Sequence, residues 1–254
     1  MKILESMLKK WVRVPDDILE LTNQKIIEVE SFKRVNDATK LVVGHVLTCE
    51  DHPNSDHLHV TTVDLGDRIE KIVCGAENVR QGQYVIVAQV GAVLPGNFEI
   101  KPTKIRGEVS NGMICSLNEL GFEEKLIPEA FRDGIFFFDS EKEIGTPALE
   151  ALGLEGFVME LGLTPNRGDL LSVLGFAQDL AAMTDQKVVI PSLTFDASPD
   201  KNPIQVRLDT DACQAYHARI FEDVRIEPSP LWLQNALIAC DIKPINNVVD
   251  ISNY

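Results

Sequence analysis

Between residues 41 and 138 the sequence consists of short apolar runs separated by turn residues, and this pattern limits the fold more than any other feature. The runs contain the β-branched and aromatic residues that favour strands, and glycine or proline lies between several of them. Six runs fit this description: Leu41–Leu47, Leu58–Leu65, Arg68–Cys74, Tyr84–Gln89, Gly112–Cys115 and Ile135–Phe138. Gly66-Asp67 lies between the second and third runs and predicts a hairpin turn. Several short strands at this spacing predict a small closed β-barrel.

The segments on either side of this region have helical and mixed patterns. Before it, the sequence predicts helices at Leu4–Val12 and Asp17–Leu21, a strand at Ile26–Val29 and a polar linker at Lys33–Lys40. After it, Asp169 is placed to cap a helix with a wide apolar stripe, and a strand is predicted at Val188–Ile190. Because loop tips tolerate insertions, we interpret residues 1–39 and 151–195 as one discontinuous α+β domain into which residues 40–150 are inserted.

The last part of the sequence predicts the start of a further α+β domain, at residues 197–254. A polar linker, Ala197–Pro203, precedes two predicted strands, Ile204–Leu208 and Tyr216–Phe221, and one predicted helix, Leu231–Ala239. No terminating signal precedes Asn253-Tyr254. We therefore expect the sequence to be a piece of a longer protein, with a multidomain α+β fold.

Charge and hydrophobicity restrict the classes of partner. The 254 residues carry a net charge of −15, and no apolar run approaches the roughly 20 residues that span a bilayer. With no signal-peptide pattern at the N-terminus, we expect a cytoplasmic protein that contacts no membrane. Residues 40–150 hold 10 basic and 18 acidic residues, which weighs against a broad basic surface for nucleic acid. Lys101, Lys104 and Arg106 form the only tight basic cluster there, so any such contact is predicted to be local.

The five cysteines are widely spaced and include no CxxC pair, which favours reduced thiols over a disulfide framework. An alternative interpretation groups Cys49, His52, His57, His59 and Cys74 as a zinc site, since thiolate and imidazole are the usual zinc ligands. The sequence offers no second tight pair of ligands to support it. A cysteine–histidine nucleophilic pair from the same residues lacks an orienting third group. We therefore expect no metal site in this chain.

Four short blocks within the β-rich region occur in a recognisable order. They are His52–Leu58, Ile72–Val79, Gly91–Gly96 and Ser110–Ser116. Together these blocks resemble the tRNA-binding domain shared by bacterial phenylalanyl-tRNA synthetase β subunits, the C-terminal extension of some methionyl-tRNA synthetases and small free-standing tRNA-binding proteins. The resemblance implies an OB-fold barrel over residues 40–150.

The resemblance also implies which side chains contact tRNA. OB-folds hold RNA on one barrel face and its connecting loops, where polar side chains meet bases and cations follow phosphates. The candidates are Asn54, Ser55, Asn78, Lys101, Lys104, Arg106, Ser110, Asn111, Met113 and Ser116. The competing interpretation of the basic cluster is a solvated charged loop. The glycines of the blocks are expected to serve turn geometry.

Two further blocks resemble parts of the same β subunit that free-standing relatives lack. Thr164–Gly175 is similar to the helix-opening segment that follows the inserted OB domain. Arg167 within it is a candidate to pair with a carboxylate of a partner subunit. Leu231–Asn235 and Pro244–Tyr254 resemble the start of the region that hydrolyses tyrosine wrongly attached to tRNA, except that Asp241 stands where a glycine is expected. Asn246, Asn247 and Asp250 are candidates for the edge of that editing pocket, with scaffold hydrogen bonding as the alternative.

The family resemblance covers essentially the whole chain and implies a phenylalanine–tRNA ligase. In that family, ATP and magnesium serve the whole enzyme, adenylate chemistry lies on a separate α subunit, and the subunits form an α2β2 heterotetramer. This chain is then expected to bind phenylalanine tRNA, to contact the α subunit, and to have no catalytic residue or cofactor of its own. The competing hypotheses are a free-standing OB-fold tRNA-binding or chaperone-like protein, and a hydrolase acting through Asp250 or His217. The long segments outside the barrel speak against the first, and no constellation supports the second.

Overall fold

A computed structural model of the protein describes residues 1–192, 194 and 203–254, and the fold is mixed α/β. The strands are β1 (Lys2–Leu4), β2 (Val29–Arg34), β3 (Leu41–Asp51), β4 (His59–Asp64), β5 (Ile69–Cys74), β6 (Tyr84–Ala88), β7 (Val93–Leu94), β8 (Phe98–Glu99), β9 (Thr103–Ile105), β10 (Glu108–Ser110), β11 (Met113–Ile114), β12 (Phe137–Phe138) and β13 (Phe157–Leu161). The α-helices are α1 (Glu5–Leu8), α2 (Ile18–Leu21), α3 (Ala148–Leu152), α4 (Val173–Met183), α5 (Leu231–Ala239) and α6 (Asn247–Asn253). A π-helical turn covers Thr22–Ile26, and 3₁₀ turns cover Glu124–Leu126, Glu129–Phe131 and Gly168–Leu171.

The largest sheet has six strands and is organised around β3. Its order is β11-β6-β3-β4-β5, with β12 also paired to β6. The first half of β3 pairs with β6, from Leu41↔Ala88 to His45↔Tyr84, and the second half pairs with β4, from His45↔Asp64 to Asp51↔His59. Gly44 lies just before this change of partner. A Cβ at that position would come within 2.7 Å of the Val63 side chain and 2.8 Å of Val87, so the close approach requires glycine.

Strand pairing does not close this sheet within the described part of the chain, because no ladder joins β5 to β11. Hydrogen bonds connect those edges instead, and two of them use backbone groups of β5. The Asn111 amide donates to the Lys71 carbonyl at 2.9 Å, and the Val73 amide donates to Ser110 Oγ at 3.0 Å. The structure therefore shows multi-stranded sheets, while the closed barrel expected from the sequence is not among its strand ladders.

All six predicted β runs contain strands, although their ends differ. β3 extends four residues beyond Leu47, and β12 covers only the last two residues of Ile135–Phe138. The predicted hairpin at Gly66-Asp67 is confirmed: β4 and β5 pair on either side of it, and the Leu65 amide donates to the Arg68 carbonyl at 2.9 Å. The short hairpins β7–β8 and β9–β10 were not predicted, because two- and three-residue strands give no readable alternation.

Two apolar clusters lie against the large sheet. One is made mainly by inward-facing residues of the strands: Val46, Val63, Leu65, Ile72, Cys74, Val79, Val85, Val87, Ile114 and Ile135. The other lies between the sheet and the segments that follow it, and includes Val43, Ile86, Leu94, Phe136, Phe138 and Leu152. Burial of these side chains stabilises the region, since each large apolar residue contributes about 1.5–3 kcal/mol when fully buried.

A second sheet joins parts of the chain that are far apart in sequence. β13 lies between β1 and β2 and pairs antiparallel with both, for example Lys2↔Glu160 and Phe157↔Arg34. α4 packs on this sheet through Phe176, Ala177 and Leu180, which are completely buried. Residues 1–34 and 157–183 therefore share one hydrophobic core.

The predicted cap at Asp169 is wrong. Residues Gly168–Leu171 form a 3₁₀ turn, and α4 begins only at Val173, with Ser172 as its N-cap. The Ser172 hydroxyl oxygen accepts a hydrogen bond from the Gly175 amide at 3.0 Å, which satisfies one of the free amides at the helix start. Gly175 itself lies so close to the Asp169 carbonyl that a Cβ would overlap it.

Several other sequence expectations also differ from the structure. The helical segment at Leu4–Val12 is shorter, since only Glu5–Leu8 is α-helical, and the strand predicted at Ile26–Val29 instead begins at Val29. Val188–Ile190, Ile204–Leu208 and Tyr216–Phe221 contain no strand among the described residues. Of the first run, Val188 packs against the core beneath α4, whereas Val189 and Ile190 are 63% and 68% exposed. The predicted linker Ala197–Pro203 lies outside the described residues except at Pro203.

The predicted helix Leu231–Ala239 is confirmed, and the residue with left-handed backbone at its end is an aspartate. Asp241 has a φ of +61°, and the Ile242 amide donates to the Leu237 carbonyl at 2.9 Å. This left-handed helix end is the conformation that glycine adopts most easily, which explains why a glycine was expected there. In this chain Lys2 forms an ion pair with the Asp241 carboxylate. α5 also packs its Ala236 against Leu4 and Met7.

None of the helices in the ranges 1–192, 194 and 203–254 has the length and apolar character needed to cross a bilayer.

Replacing the cap serine tests the assignment of the start of α4. We expect Ser172→Ala to lower the free energy of unfolding by about 0.5–2 kcal/mol, because it removes the acceptor for the Gly175 amide. Urea unfolding followed by tryptophan fluorescence measures the change, since Trp11 packs against the same core. Ser192→Ala, at an exposed serine outside any helix, is the matched control. Equal stability of the two variants would contradict the assignment.

Candidate nucleic-acid interface

A cleft of about 630 Å³ lies at one end of the large sheet. The end of β5, the segment from β8 to β9 and the residues around β11 form its walls. Four of the ten predicted tRNA-binding residues line it: Lys101, Ser110, Met113 and Ser116. Most of the remaining lining is apolar, including Val73, Ile105, Ile114 and Ile135. The structure thus brings part of the predicted set together around one concave surface.

The predicted basic cluster lies on and beside the β9–β10 hairpin. Lys101, Lys104 and Arg106 are all exposed. Lys101 Nζ lies 3.0 Å from Glu99 Oε2, with 68% of its side chain accessible. Arg106 donates from Nη1 to the Asn54 carbonyl at 3.3 Å, and Asn54 donates from Nδ2 to the Arg106 carbonyl at 3.2 Å. Asn54 therefore connects the basic hairpin to the loop that follows β3.

His52 anchors this loop, a role that the sequence did not indicate. It is 3% exposed, its Nδ1 accepts from the Asn54 amide at 3.0 Å, and its Nε2 lies 3.1 Å from the Ile105 carbonyl. The neutral tautomer with the proton on Nε2 satisfies both contacts. Ser55, the next candidate, is half-buried in the same loop, and its amide donates to the His52 carbonyl.

Several of the predicted contact residues hold the fold through their polar groups. Ser110 is 2% exposed, accepts from the Val73 amide and donates to the Gly112 carbonyl. Asn111 donates from Nδ2 to Glu70 Oε2 at 3.0 Å. Lys71 and Glu108 form an adjacent ion pair, and this hydrogen-bonded contact holds the pKa of the Glu108 carboxyl below its usual range. These groups join β5 to the segment that carries β10 and β11.

Asn78 forms a reciprocal pair with the backbone of Ile135. Its Nδ2 donates to the Ile135 carbonyl at 2.9 Å, and its Oδ1 accepts from the Ile135 amide at 2.9 Å. Met113 is half-buried and packs against the larger apolar cluster, and Ser116 hydrogen-bonds to the Glu119 carboxylate. Whether these three side chains also contact RNA stays a prediction.

Two residues that the sequence did not single out also line the cleft. Phe98 on β8 is 58% exposed, and Arg132, two residues before Gly134, is also exposed. Phe98 follows the turn Gly96-Asn97 in a polar stretch, where an aromatic residue is out of place. This position was the only feature of the sequence that could have indicated Phe98, and no feature of the sequence indicates Arg132.

The five residues of the alternative zinc site form no metal-binding cluster, although Cys49, His57 and His59 line one surface cavity. Among the residues that the structure describes, no group of three or more histidine, cysteine, aspartate or glutamate side chains is placed to hold a metal ion. His57 pairs with Asp56 at 2.8 Å, and His59 lies 3.5 Å from Asp51. All five cysteines are free, and burial raises the pKa of the Cys74 thiol to about 11, so this thiol is protonated at neutral pH.

The candidates for the editing-pocket edge make scaffold hydrogen bonds. Asn246 caps α6, its Oδ1 accepting from the Val248 and Val249 amides at 3.1 and 3.0 Å. Asp250 is fully buried and accepts from the Ser229 hydroxyl and the Ile245 amide. Asn247 donates from Nδ2 to the Arg225 carbonyl at 2.9 Å. Their place at the edge of a hydrolytic pocket stays a prediction.

Arg167 pairs with carboxylates of its own chain. It contacts Asp169 at 2.9 Å, also reaches Asp179, and donates from Nη1 to the Ile26 carbonyl at 3.0 Å. The hydrogen bonds to Asp169 and Asp179 raise the pKa of Arg167, and the same contact lowers the pKa of Asp169. The carboxylates that Arg167 contacts in this structure belong to its own chain, where they tie the 3₁₀ turn to α4, and pairing with a carboxylate of a partner subunit stays a prediction.

The double contact of Asn78 predicts a stability effect independent of RNA. We expect Asn78→Ala to lower the free energy of unfolding by about 1–3 kcal/mol, because it leaves the Ile135 amide and carbonyl without their partner. Asn118→Ala, at an exposed asparagine of the same domain, is the control. Urea unfolding followed by circular dichroism compares the two. Unchanged stability of Asn78→Ala would show that the pair does not support the fold.

Comparison with known proteins agrees with the resemblance of the sequence blocks. Residues 41–146 match the family described as "Putative tRNA binding domain", and residues 212–254 match the family described as "B3/4 domain". The chain is 49% identical to the phenylalanine–tRNA ligase beta subunit of Geobacillus kaustophilus, over 94% of this chain and 30% of that protein. The corresponding subunit of Bacillus subtilis is 47% identical over the same shares. That of Oceanobacillus iheyensis is 43% identical, over 100% of this chain and 33% of that protein.

A solved structure, the MetRS related protein from Pyrococcus horikoshii, is 24% identical and covers 41% of this chain and 84% of its own, with a TM-score of 0.30 that is too low to support an argument. The chain spans about 30% of the length of the curated relatives that it matches. Over that span, it belongs to the family of phenylalanine–tRNA ligase beta subunits.

Proposed function

We propose that this chain supplies a tRNA-binding part of a phenylalanine–tRNA ligase β subunit, and so supports the ATP-dependent attachment of phenylalanine to its tRNA. The observation that carries this proposal is the position of the tRNA-binding family match. It covers the large sheet, the cleft and the basic hairpin together. The similarity to β subunits extends well beyond residues 41–146, which disfavours a free-standing OB-fold protein.

The proposed domain arrangement is an OB-fold barrel inserted into a small α+β domain. Residues 40–150 form the barrel, residues 1–39 and 151–195 form the α+β domain, and residues 197–254 begin the editing-region domain. The shared sheet of β1, β13 and β2 supports the second assignment, because it pairs strands from both sides of the insertion. The hydrogen bonds from Asn111 and Val73 across the open edges support barrel closure.

The proposed tRNA contacts are local, because the domain as a whole is acidic. Lys101, Lys104 and Arg106 lie within six residues and are exposed, so they provide a short track for phosphates on an otherwise unfavourable surface. Asn54 and Ser55 lie beside this track, since Asn54 is hydrogen-bonded to Arg106. The other five candidates are proposed to support the adjacent cleft more than they contact tRNA directly. They are Asn78, Ser110, Asn111, Met113 and Ser116.

The chemistry of the enzyme is assigned to other parts of it. By the family resemblance, ATP and magnesium serve the whole enzyme, an α subunit carries the adenylate chemistry, and an α2β2 heterotetramer forms in the cytoplasm. This chain would then bind tRNA and support subunit assembly without a catalytic residue of its own. Asn246, Asn247 and Asp250 would organise the edge of the editing pocket through the scaffold hydrogen bonds of α6.

An anisotropy titration of phenylalanine tRNA, at low and physiological salt, tests the proposal. We expect the parent chain to bind, and a Lys101→Ala, Lys104→Ala, Arg106→Ala variant to bind more weakly, with a salt slope smaller by about 2–3 because three phosphate contacts are lost.

The matched control is Lys25→Ala, Lys33→Ala, Arg34→Ala, which removes the same charges from exposed positions outside the matched domain. An equal loss in both variants would indicate a general charge effect. No binding by the parent chain at low salt would contradict the proposed function.

A further inference from the structure

We propose that Phe98 is a stacking platform for an unpaired RNA base, which the cleft beside it receives. This inference rests on the proposed tRNA-binding function and specifies which part of a tRNA the site takes. A nucleotide offers a flat apolar face, a polar edge and a flanking phosphate at each side. The cleft contains a counterpart for each of these features.

The backbone around Phe98 is held firmly while its ring remains in solvent. Phe98 pairs with Leu94 across the β7–β8 hairpin. On either side of it, Leu94 and Ile100 are buried in the apolar cluster, and the Ile100 amide donates to the Ala92 carbonyl at 2.8 Å. Since its neighbours are fixed, the exposed ring has a defined position at the rim of the cleft.

Phe98 differs from the other aromatic residues of its domain. Within residues 41–146, all of which the structure describes, it is the only phenylalanine, tyrosine or tryptophan that is mostly exposed. Phe131, Phe136, Phe137 and Phe138 contact one another in a ring cluster. An exposed ring fixed beside a cleft is the arrangement by which single-strand-binding proteins stack bases.

The interior of the cleft suits a nucleobase in size and chemistry. Its volume of about 630 Å³ lies within the usual range of small-ligand sites, about 300–1,000 Å³. Val73, Ile105 and Met113 provide apolar contact surface, and Gly75 and Gly112 also line the cleft. The Ser116 hydroxyl and the Glu119 carboxylate also line the cleft and provide oxygen atoms that can face the polar edge of a base.

Cations lie where the phosphates of such a nucleotide would be. Lys101 and Arg132 both line the cleft and are exposed, and Lys104 and Arg106 continue the positive charge along the β9–β10 hairpin. Glu99 and Glu119 interrupt this charge. A duplex keeps its base faces within its own stack and presents two phosphate backbones, so it fits this mixed surface less well than a single strand.

Binding of a short fluorescein-labelled oligocytidylate to the full chain tests the inference. We expect Phe98→Ala and Phe98→Leu to lose affinity about tenfold, because both remove the aromatic ring on which a base stacks. Phe98→Trp, which keeps an aromatic face, should bind at least as tightly as the parent chain. Val109→Ala is the control, since Val109 is exposed in the same domain but does not line the cleft.

A fluorescence signal separates stacking from a purely structural role of Phe98. An oligonucleotide containing 2-aminopurine should be quenched by the parent chain and by Phe98→Trp, and much less by Phe98→Leu at saturating protein. A matching RNA duplex should bind more weakly than the single strand. Comparison of tRNA with and without its unpaired 3′ end shows whether the base comes from that end or from a loop.

The outcomes distinguish this inference from the proposed function. If tRNA binds with the expected salt dependence but Phe98→Ala binds the oligonucleotide as the parent does, the platform is excluded and the tRNA-binding function stands. Equal affinity for duplex and single strand would also overturn the inference. If the parent chain binds neither tRNA nor oligonucleotide, both proposals fail.

Discussion

The fold of residues 41–146 depends on the double pairing of β3. One strand of 11 residues pairs with β6 through its first half and with β4 through its second half. The change of partner requires the backbone at Gly44 to approach Val63 and Val87 more closely than any side chain would permit. A register shift between Val46 and Thr48 follows immediately. Because β4, β5 and β6 all take their positions from this strand, the cleft between β5 and the β11 segment depends on it as well.

Residues within the four sequence blocks and residues beside them have different physical roles. One group uses its polar side chains for hydrogen bonds to the backbone or to neighbouring side chains, and these bonds join loops to strands. Its members are His52, Asn78, Ser110 and Asn111. The other group lines the cleft with exposed side chains, namely Phe98, Lys101 and Arg132, although Lys101 is also paired with Glu99. The blocks that made the family recognisable therefore describe mainly how the surface is built. Side chains free to contact RNA lie beside those blocks.

The sequence predicted the long elements and missed features that depend on contacts between distant residues. Alternation and turn residues located β3 to β6, and apolar spacing located α5. The start of α4 was misplaced because aspartate and serine are both good N-cap residues, and Asp169 and Ser172 are close in sequence. Only the structure shows that Asp169 is hydrogen-bonded to Arg167 while Ser172 caps the helix. The apolar residues of Tyr216–Phe221 predicted a strand, but no strand forms there. The cleft was invisible in sequence, since Gly75, Phe98, Met113 and Arg132 come from four separate segments.

Because the domain is acidic, we expect it to bind RNA only where cations and an apolar surface lie together, at the cleft and the basic hairpin. Hydrogen-exchange mass spectrometry with phenylalanine tRNA tests the position of this contact most directly. We expect slower amide exchange on tRNA binding in residues 98–106, 110–116 and 132–135, and unchanged exchange in β2 and α4. Protection confined to segments outside residues 41–146, or spread evenly over the chain, would contradict it.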